Sequence, residues 1–348
     1  MQLTVLWLAV VLFFFVIFAI LKYDPFSNIM YDLTQVKFIS IYMYIGFDSV
    51  SLLFIYLTCF FIPLCILFMW KSNFIHKTSY MLLLFSLELT IIAVFLILDI
   101  LLFYIMFEMI LIPFFILVGI SGVRVRRVHA SYLLFFYTMF GSILMLVSIF
   151  NMYSHCGTTN MLLVWGLQMD ESIEFWIFIP FIISFSIKVP VFPFHIWLPE
   201  AHVESPTEGS VILAAILLKV GLYGFLRILL PVFSFSISYY ANIIFMLNIF
   251  SIVYTSFITL RQIDIKKIIA YSSVGHMNIC VLGMCTLHPI PIVGSILLMF
   301  GHGFVSAGLF FLVGILYDRY KTKLILYYSG VTQLMPIFSF FFFFFYNK

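Results

Sequence analysis

The chain alternates long apolar runs with short polar segments, and the runs have the length of a membrane-spanning helix. A bilayer core needs about 20 consecutive apolar residues, which form a helix because a helix satisfies its own backbone hydrogen bonds. The period-two alternation that a membrane β-barrel requires is missing from these runs. The pattern predicts an all-α polytopic membrane protein of about 11 helices, arranged as a single transmembrane domain over residues 1–348. The predicted spans lie near residues 3–21, 49–70, 79–98, 100–120, 130–150, 173–198, 207–230, 238–260, 266–287, 292–316 and 333–346.

The apolar run from Tyr80 to Gly122 has no clean polar break. As one helix it would be about 64 Å long, twice the hydrocarbon thickness of roughly 30 Å. The chain must therefore turn within this run, and we predict the turn at Asp99.

The distribution of charge predicts the orientation in the membrane. Only 9% of residues are charged and 65% are hydrophobic, so the chain has too few polar side chains to cover a soluble globule. Loops rich in Lys and Arg remain on the inner side of a membrane. If the loop at 122–127 is inside, the inside loops hold 11 basic residues and the outside loops hold 4, so the N-terminus is predicted inside. The inside residues are Lys71, Lys77, Arg124, Arg126, Arg127, Arg261, Lys266, Lys267, Arg319, Lys321 and Lys323, and the outside residues are Lys22, Lys37, Arg227 and Lys348.

Glu108, Lys188 and Lys219 belong to no loop and are predicted near the middle of the membrane. Ser205-Pro206-Thr207-Glu208 has the pattern of a capping box, which would place Lys219 about 20 Å inside the helix that follows. Lys188 lies about 21 Å along its own helix, and Glu108 about 14 Å past the turn at Asp99. An ionisable residue at this depth costs at least about 2.5 kcal/mol, so it usually pairs or lines a hydrated path.

Two prolines follow Lys188 in the stretch KVPVFPFHIWLP. Pro190 and Pro193 remove backbone donors and free the carbonyls around residues 186–189, which a membrane tolerates only where protein or water solvates them. We therefore predict a proline-broken helix near 173–198, a feature typical of transporters. A simple packing kink is the alternative.

The buried charges have two possible interpretations. A static ion pair between Glu108 and Lys188 would lock two helices together. However, Lys219 is in excess of the one clear carboxylate partner, and histidines occur on three further helical segments. Buried Lys and His can be driven across neutral pH by a neighbouring charge, so the set resembles a proton relay. The histidines are His195, His276 and His302.

Other polar residues leave both a structural and a functional interpretation open. Glu88 is either a relay residue or an access-side group near the surface. Glu200, His202 and Glu204 lie at a helix connection, where a solvated acidic loop is the default and a proton funnel the alternative. Glycines within the helices are interpreted as close-packing positions.

Cofactor-binding motifs are missing from the sequence. The five cysteines form no C-x-x-C pair, and no glycine-rich phosphate loop or G-x-G-x-x-G occurs. We therefore expect no cofactor and no metal in this chain, and any redox cofactor on another chain.

Several stretches together resemble the subunit 4 family of antiporter-like subunits of respiratory complex I. Sister subunits 2 and 5 share the lysine before a proline and the W-L-P turn, whereas A-H-V-E-S-P and Y-S-S-V-G-H-M are typical of subunit 4. The resemblance covers about residues 46–346. The stretches are KVPVFPFHIWLPEAHVESPTEGSVILAAILLKVGLYGFLR, RQIDIKKIIAYSSVGHMN, FGHGFVSAGLFFLVGILYDR, MPIFSFFFFF, LDILLFYIMFEMILIP and IGFDSVSLLFIYLT.

The resemblance implies roles for individual residues. In the family, the glutamate matching Glu108 pairs with the lysine matching Lys188, and the lysine matching Lys219 passes the proton onward. His276 and His302 match family motifs, and His195 lies in a matching stretch with a weaker implied role. Such subunits contain no redox centre. FMN, iron–sulfur clusters and ubiquinone are expected in other subunits, and quinone reduction there drives the pump.

The resemblance also implies partners. Subunit 2-like and subunit 5-like antiporter chains of the membrane arm are expected, as are membrane lipids, and no nucleic acid. One span precedes IGFDSVSLLF where fuller relatives have two, and the resemblance stops in the phenylalanine run, so we expect a separate chain that supplies further C-terminal helices. A degenerate structural spacer within complex I and a stand-alone cation/proton antiporter subunit are the alternatives.

The excess of Phe, Tyr and Ile suggests an AT-rich coding sequence of the kind common in mitochondrial genomes. A run of six phenylalanines ends at Phe345. No basic amphipathic presequence is visible. The expected location is the mitochondrial inner membrane, with the basic loops and the N-terminus in the matrix.

Overall fold

The computed structural model describes residues 2–23, 31–38, 41–71, 77–121, 126–167 and 169–346. Arg124 and Lys348, which were counted for the orientation, lie outside these residues. The longer elements in chain order are α1 Gln2–Lys22, β1 Tyr31–Phe38, β2 Ile41–Phe47, α2 Ser49–Phe68, α3 Lys77–Leu96, α4 Ile100–Met109, α5 Leu111–Ser121, α6 Arg126–Cys156, α7 Met161–Trp165, α8 Glu171–Lys188, α9 Trp197–Glu204, α10 Thr207–Val232, α11 Ser234–Arg261, α12 Ile265–Cys285, α13 Pro289–Tyr320, α14 Val331–Leu334 and α15 Pro336–Tyr346.

The helices confirm the prediction of an all-α polytopic bundle. Within the described residues, nine helices are long and apolar enough to cross a membrane, with α4 and α5 counted as one. The broken pair α8 and α9 corresponds to the predicted span at 173–198, and the short helix α15 to the span at 333–346. Each predicted span thus has a helical counterpart.

A small β-hairpin was not predicted from the sequence. Strands β1 and β2 pair antiparallel, from Phe38 opposite Ile41 to Tyr31 opposite Phe47. The backbone carbonyl of Tyr44 accepts a hydrogen bond of 3.0 Å from the amide of Leu98. The hairpin is therefore attached to the turn between α3 and α4.

Asp99 makes the turn that the length of the apolar run requires. Its Oδ1 accepts a hydrogen bond of 3.0 Å from the amide of Leu102 and so caps α4. Its Oδ2 accepts one of 2.6 Å from the hydroxyl of Thr159, and the backbones of Asp99 and Asn160 are bridged. One carboxylate thus fixes both the start of α4 and the chain before α7.

A local break separates α4 from α5 beside Glu108. Pro113 cannot donate a hydrogen bond to the carbonyl four residues earlier, that of Met109, and the helix is interrupted at Ile110. The backbone bond from Phe114 to Ile110 is long, at 3.4 Å. Glu108 consequently lies in the last turn before an irregular segment.

Helix α10 forms the centre of the bundle. In its most apolar stretch 89% of the residues are buried, compared with 22% in α11. Glycines let it approach the broken helix closely, since a Cβ added at Gly224 would lie 2.3 Å from Cε1 of Phe185. A Cβ added at Gly221 would lie 2.9 Å from Cγ2 of Val189 and 3.2 Å from Cβ of Lys188. The interpretation as close-packing positions is confirmed for these two glycines, whereas a Cβ added at Gly294 or Gly301 would meet no atom within 4 Å.

Candidate functional site

Glu108 and Lys188 meet where α4 packs near the end of α8. The Lys188 Nζ lies 3.9 Å from the Glu108 Oε1, and the side chains are only 9% and 16% exposed. The ammonium donates a hydrogen bond of 2.8 Å to the carbonyl of Phe107 and lies 3.0 Å from the centroid of the Phe107 ring. Neither Glu108 oxygen has a hydrogen-bond partner in the described part of the chain. The two charges attract each other without a hydrogen bond that would lock them.

The proline break positions Lys188 as the last residue of α8, and its prediction is confirmed. Carbonyls freed by the break find partners within the protein: that of Ser186 accepts from the amide of Val191 at 2.9 Å. That of Ile187 accepts from Nε1 of Trp197, also at 2.9 Å. Because these bonds satisfy the broken backbone, the break is stable at membrane depth.

A small cavity adjoins the lysine. It has a volume of about 30 Å³, and its lining includes Lys188, Thr138, Trp197, Leu217 and Val220. A buried water needs roughly 10 to 15 Å³ and polar partners. The cavity therefore has room for one or two waters, and its lining is almost entirely apolar.

Lys219 lies in α10 between two π-helical turns, Leu213–Leu217 and Phe225–Leu229. The side chain is fully buried, its Nζ is 2.9 Å from Nδ1 of His302, and it also donates to the carbonyl of Ala214. The ring centroid of His302 is 5.7 Å from that of His276. These side chains form a continuous row from α10 through α13 to α12.

The two lysine sites lie on touching helices. The Lys188 cavity is lined by Leu217 and Val220, which flank Lys219 in α10. The glycine at 221 brings the backbone of α10 against the Cβ of Lys188. The structure therefore places the Glu108–Lys188 pair next to the helix that carries Lys219.

His195 is separate from both groups. It lies in the segment between α8 and α9, is 4% exposed, and has no hydrogen-bond partner on Nδ1 within the described residues. Its ring contacts are with Phe192, Tyr254 and Tyr271, at centroid distances of 5.5 to 6.4 Å. These contacts do not connect it to the lysines.

Sequence reasoning missed Lys266 and misplaced the segment before α10. Lys266 was assigned to an inner loop, but it is 2% exposed, and its Nζ donates to the carbonyl of Ser205 at 3.0 Å. The default interpretation of His202 and Glu204 as a solvated loop is wrong, since they are 0% and 5% exposed. Helix α9 turns back into the bundle, and residues near Lys323 cover it, so burial here depends on distant packing rather than on local sequence.

Two smaller expectations also need correction. The capping box at the start of α10 is wrong, because Pro206 is the N-cap residue and the Ser205 hydroxyl donates to the carbonyl of His202 at 3.2 Å. Arg227, counted in an outside loop, is buried and pairs with Asp48 at 2.7 Å. When Arg227 and Lys266 are left out of the count, the inside loops still hold more basic residues than the outside loops. Glu88 is fully buried within the bundle.

Among the described residues, no group of three or more His, Cys, Asp or Glu side chains could hold a metal ion. The five cysteines are free thiols. The groups that the site does bring together, Lys188 with Glu108 and Lys219 with His302, can exchange protons between nitrogen and oxygen atoms.

Comparisons with known proteins agree with this arrangement. Residues 97–347 match the family described as NADH:quinone oxidoreductase/Mrp antiporter, TM. NADH-ubiquinone oxidoreductase chain 4 of Chondrus crispus is 47% identical over 98% of this chain, and that of Marchantia polymorpha is 48% identical over 93%. The chain belongs to the NADH-ubiquinone oxidoreductase chain 4 family. The resemblance to subunit 4 inferred from the sequence motifs is confirmed.

A solved structure shows the same fold as this member of the chain 4 family. A chain of respiratory complex I from Thermus thermophilus with bound NADH superposes with a TM-score of 0.89 at 26% identity, over 97% of this chain and 72% of that one. The antiporter-like arrangement of the helices is thereby confirmed. The chain spans 63% to 70% of the length of the two relatives from Marchantia and Chondrus.

Proposed function

We propose that this chain is a proton-translocating subunit of the membrane arm of NADH:ubiquinone oxidoreductase, respiratory complex I, in the mitochondrial inner membrane. The observation that carries the proposal is the contact of 2.9 Å between Nζ of Lys219 and Nδ1 of His302, beside a proline-broken helix that ends in a second buried lysine. FMN, the iron–sulfur clusters and ubiquinone would be bound by other subunits, where the redox chemistry takes place.

The proposed path begins at the Glu108–Lys188 pair. When the two charges are close, the carboxylate favours the protonated lysine; when they separate, the ammonium releases its proton to water in the adjoining cavity. Lys219 receives the proton and passes it through His302 to His276. Histidine suits this role because its two ring nitrogens can take up and release a proton on opposite sides.

A static ion pair explains the geometry less well. At 3.9 Å the Glu108–Lys188 pair has no direct hydrogen bond, so the Glu108 carboxylate can move away from Lys188 without breaking one. Lys219 contacts a histidine rather than a carboxylate, which adds the cost of a buried charge without an opposite charge to offset it. A subunit that served only as a structural spacer would have no need of a buried charge with this energetic cost. The stand-alone antiporter is disfavoured because the relatives of 47% to 48% identity are named chain 4 of the oxidoreductase.

Replacement of Lys188 by methionine tests the first step. In assembled complex reconstituted into liposomes, we expect NADH oxidation and assembly to persist while the number of protons translocated per NADH falls. Removal of a positioned proton-transfer group slows transfer by about 100-fold or more. The measurement is the fluorescence change of a pH dye inside the vesicles, divided by NADH consumed.

Lys188→Arg is the matched variant for this test. Arginine keeps the positive charge next to Glu108 but does not release its proton. We expect it to pump as poorly as the methionine variant. Full pumping by the arginine variant would support a static ion pair and overturn the relay.

The chain is proposed to expose its basic loops and N-terminus to the matrix. We expect a cysteine introduced at Val125 to react with a membrane-impermeant maleimide in inverted inner-membrane vesicles and to be protected in vesicles of native orientation. A cysteine in place of Ser238, an exposed residue near the outer end of α11, provides the opposite control. Labelling of Val125→Cys in vesicles of native orientation would show that the topology is the reverse of the one proposed.

The subunit 2-like and subunit 5-like antiporter chains are the proposed neighbours. Exposed apolar side chains of α11, such as Ile243, Met246 and Phe257, provide a surface for them or for lipid acyl chains.

A further inference from the structure

We infer that five buried aromatic side chains form a seal, which prevents protons from passing between Lys219 and the side of the membrane on which the β1–β2 hairpin lies. The inference rests on the proposed function, because a pump that holds a proton on Lys219 must be closed towards one side of the membrane while it is open to the other. The side chains of this aromatic seal are Phe54, Phe95, Phe103, Phe185 and Tyr223.

Tyr223 lies along α10 between Lys219 and the hairpin side. It follows Lys219 by four residues, or about 6 Å of helix, so both side chains lie on the same face. Four residues later, Arg227 pairs with Asp48 at 2.7 Å, and Asp48 joins the end of β2 to the start of α2. A proton that moved from Lys219 along this face towards the hairpin would therefore meet the ring of Tyr223.

Three phenylalanines from three other helices enclose that ring. Its centroid lies 5.0 Å from that of Phe95 in α3, with the two planes at 90°. The corresponding distances to Phe54 in α2 and Phe103 in α4 are 6.3 Å and 6.4 Å. Phe54 and Phe95 stack on each other at 5.6 Å, and none of the four side chains is more than 1% exposed. The helices α2, α3, α4 and α10 thus meet in one layer of aromatic rings.

Phe185 closes this layer on the side of α8. Its ring lies edge-on to Phe103 at 6.5 Å and contacts Phe225 of α10 at 5.8 Å. It also lies against the backbone of Gly224, the residue after Tyr223, where an added Cβ would come within 2.3 Å of the ring. This close approach leaves no space for a water between Phe185 and α10.

The only polar side-chain atom of these five residues, the Tyr223 hydroxyl, has its partner inside the protein. It donates a hydrogen bond of 3.1 Å to the carbonyl of Phe95. Phe95 is in the last turn of α3, where carbonyls lack a partner in their own helix, so this bond takes the place of one from water. Hydrophobic constrictions stop conduction because water leaves them. The chain of waters along which a proton could pass is therefore interrupted at this layer.

A positive charge lies beyond the layer on the hairpin side. The Cζ of Arg227 is 5.9 Å from the ring centroid of Tyr223 and 5.3 Å from that of Trp165. The Nε1 of Trp165 donates to the carbonyl of Arg227 at 3.2 Å, which helps to hold the arginine in place. An arginine at a constriction raises the electrostatic barrier to protons. The aromatic layer and the guanidinium thus oppose proton flow along the same route, which a core that served packing alone would not require.

The test compares Tyr223→Ala with Tyr223→Phe in the assembled complex reconstituted into liposomes. An acid pulse without NADH creates a pH gradient, and a pH dye inside the vesicles follows its decay. Removal of the ring leaves the Phe95 carbonyl without its donor, next to a space large enough for water, so we expect Tyr223→Ala to lose the gradient much faster than the parent. Tyr223→Phe retains the ring, and we expect it to hold the gradient and to pump like the parent.

Phe178→Ala is the matched control. Phe178 is also a buried aromatic residue, 1% exposed, but its ring contacts Phe233 and Tyr240 and lies outside the aromatic seal. We expect this variant to hold the gradient like the parent. If Tyr223→Ala does not assemble on native gels, Phe95→Leu takes its place, since leucine preserves an apolar side chain but not the ring, and we expect that variant to leak.

Three results would overturn the seal. The first is a parent-like decay in Tyr223→Ala, or in Phe95→Leu where that variant takes its place, and the second is an equally fast decay in Phe178→Ala. The third is loss of pumping in a Tyr223→Phe variant that holds the gradient, which would make the hydroxyl a proton carrier. Failure of the proposed function is read separately, from pumping driven by NADH: parent-like pumping by Lys219→Met refutes that function, whereas loss of pumping there with a tight Tyr223→Ala refutes only the seal.

Discussion

The Lys219→Met variant is expected to abolish proton translocation through this subunit while leaving the complex assembled. Methionine matches the length of the buried side chain but cannot carry a proton from the Lys188 cavity to His302. The rate of transfer through the subunit should fall by about 100-fold or more.

The measurement is the pH change inside proteoliposomes per NADH oxidised, with the amount of assembled complex determined on native gels. Lys22→Met is a suitable control, because Lys22 ends α1 and is exposed. If Lys219→Met and Lys22→Met pumped equally well, Lys219 would not lie on the proton path.

Gly224→Ala is expected to prevent stable packing of the bundle. The new Cβ would lie 2.3 Å from Cε1 of the fully buried Phe185 ring, with two further ring carbons within 2.9 Å. Relief of this overlap requires movement of α8 or α10, and overpacking of a core costs typically about 1 to 3 kcal/mol. We expect a marked decrease in assembled complex and a lower temperature of dissociation in detergent.

Gly294→Ala is the matched control for this substitution. Gly294 is also within a long helix, α13, but no atom lies within 4 Å of its added Cβ. Alanine is the better helix former by about 1 kcal/mol, so this variant should be as stable as the parent or slightly more stable. Equal stability of the two alanine variants would contradict the close packing of α10 on α8.

The spans and the central charges could be predicted because a charged residue in the apolar core of a membrane is energetically costly and therefore rare. A charge within an apolar run stands out in the sequence, and the helical rise gives its depth, which is how Glu108, Lys188 and Lys219 were found. The contact between Lys219 and His302 could not be predicted in this way, because it joins residues of two helices that are distant in the chain.

Lys266 and His202 show where this reasoning stops. Both lie near predicted helix ends, where hydropathy cannot distinguish a solvated residue from a buried one. Next to Lys266, the backbone of Lys323 and Leu324 pairs with that of Asp264 and Ile265, a contact that no local pattern indicates. The hairpin of β1 and β2 was likewise missed, because it lies in the segment between the first two predicted spans, where no strand was expected.

The π turn at Leu213–Leu217 determines the directions in which the polar side chains of α10 point. Ser210, the partner of Lys266, and Lys219, the partner of His302, are 9 residues apart. In an uninterrupted α-helix, at about 100° per residue, they would point in opposite directions. A π turn takes one additional residue, so the helix beyond it lags by about 100°. The single turn thus reduces the angle between Ser210 and Lys219 from about 180° to about 80°, so helical phase places both side chains on the same half of α10.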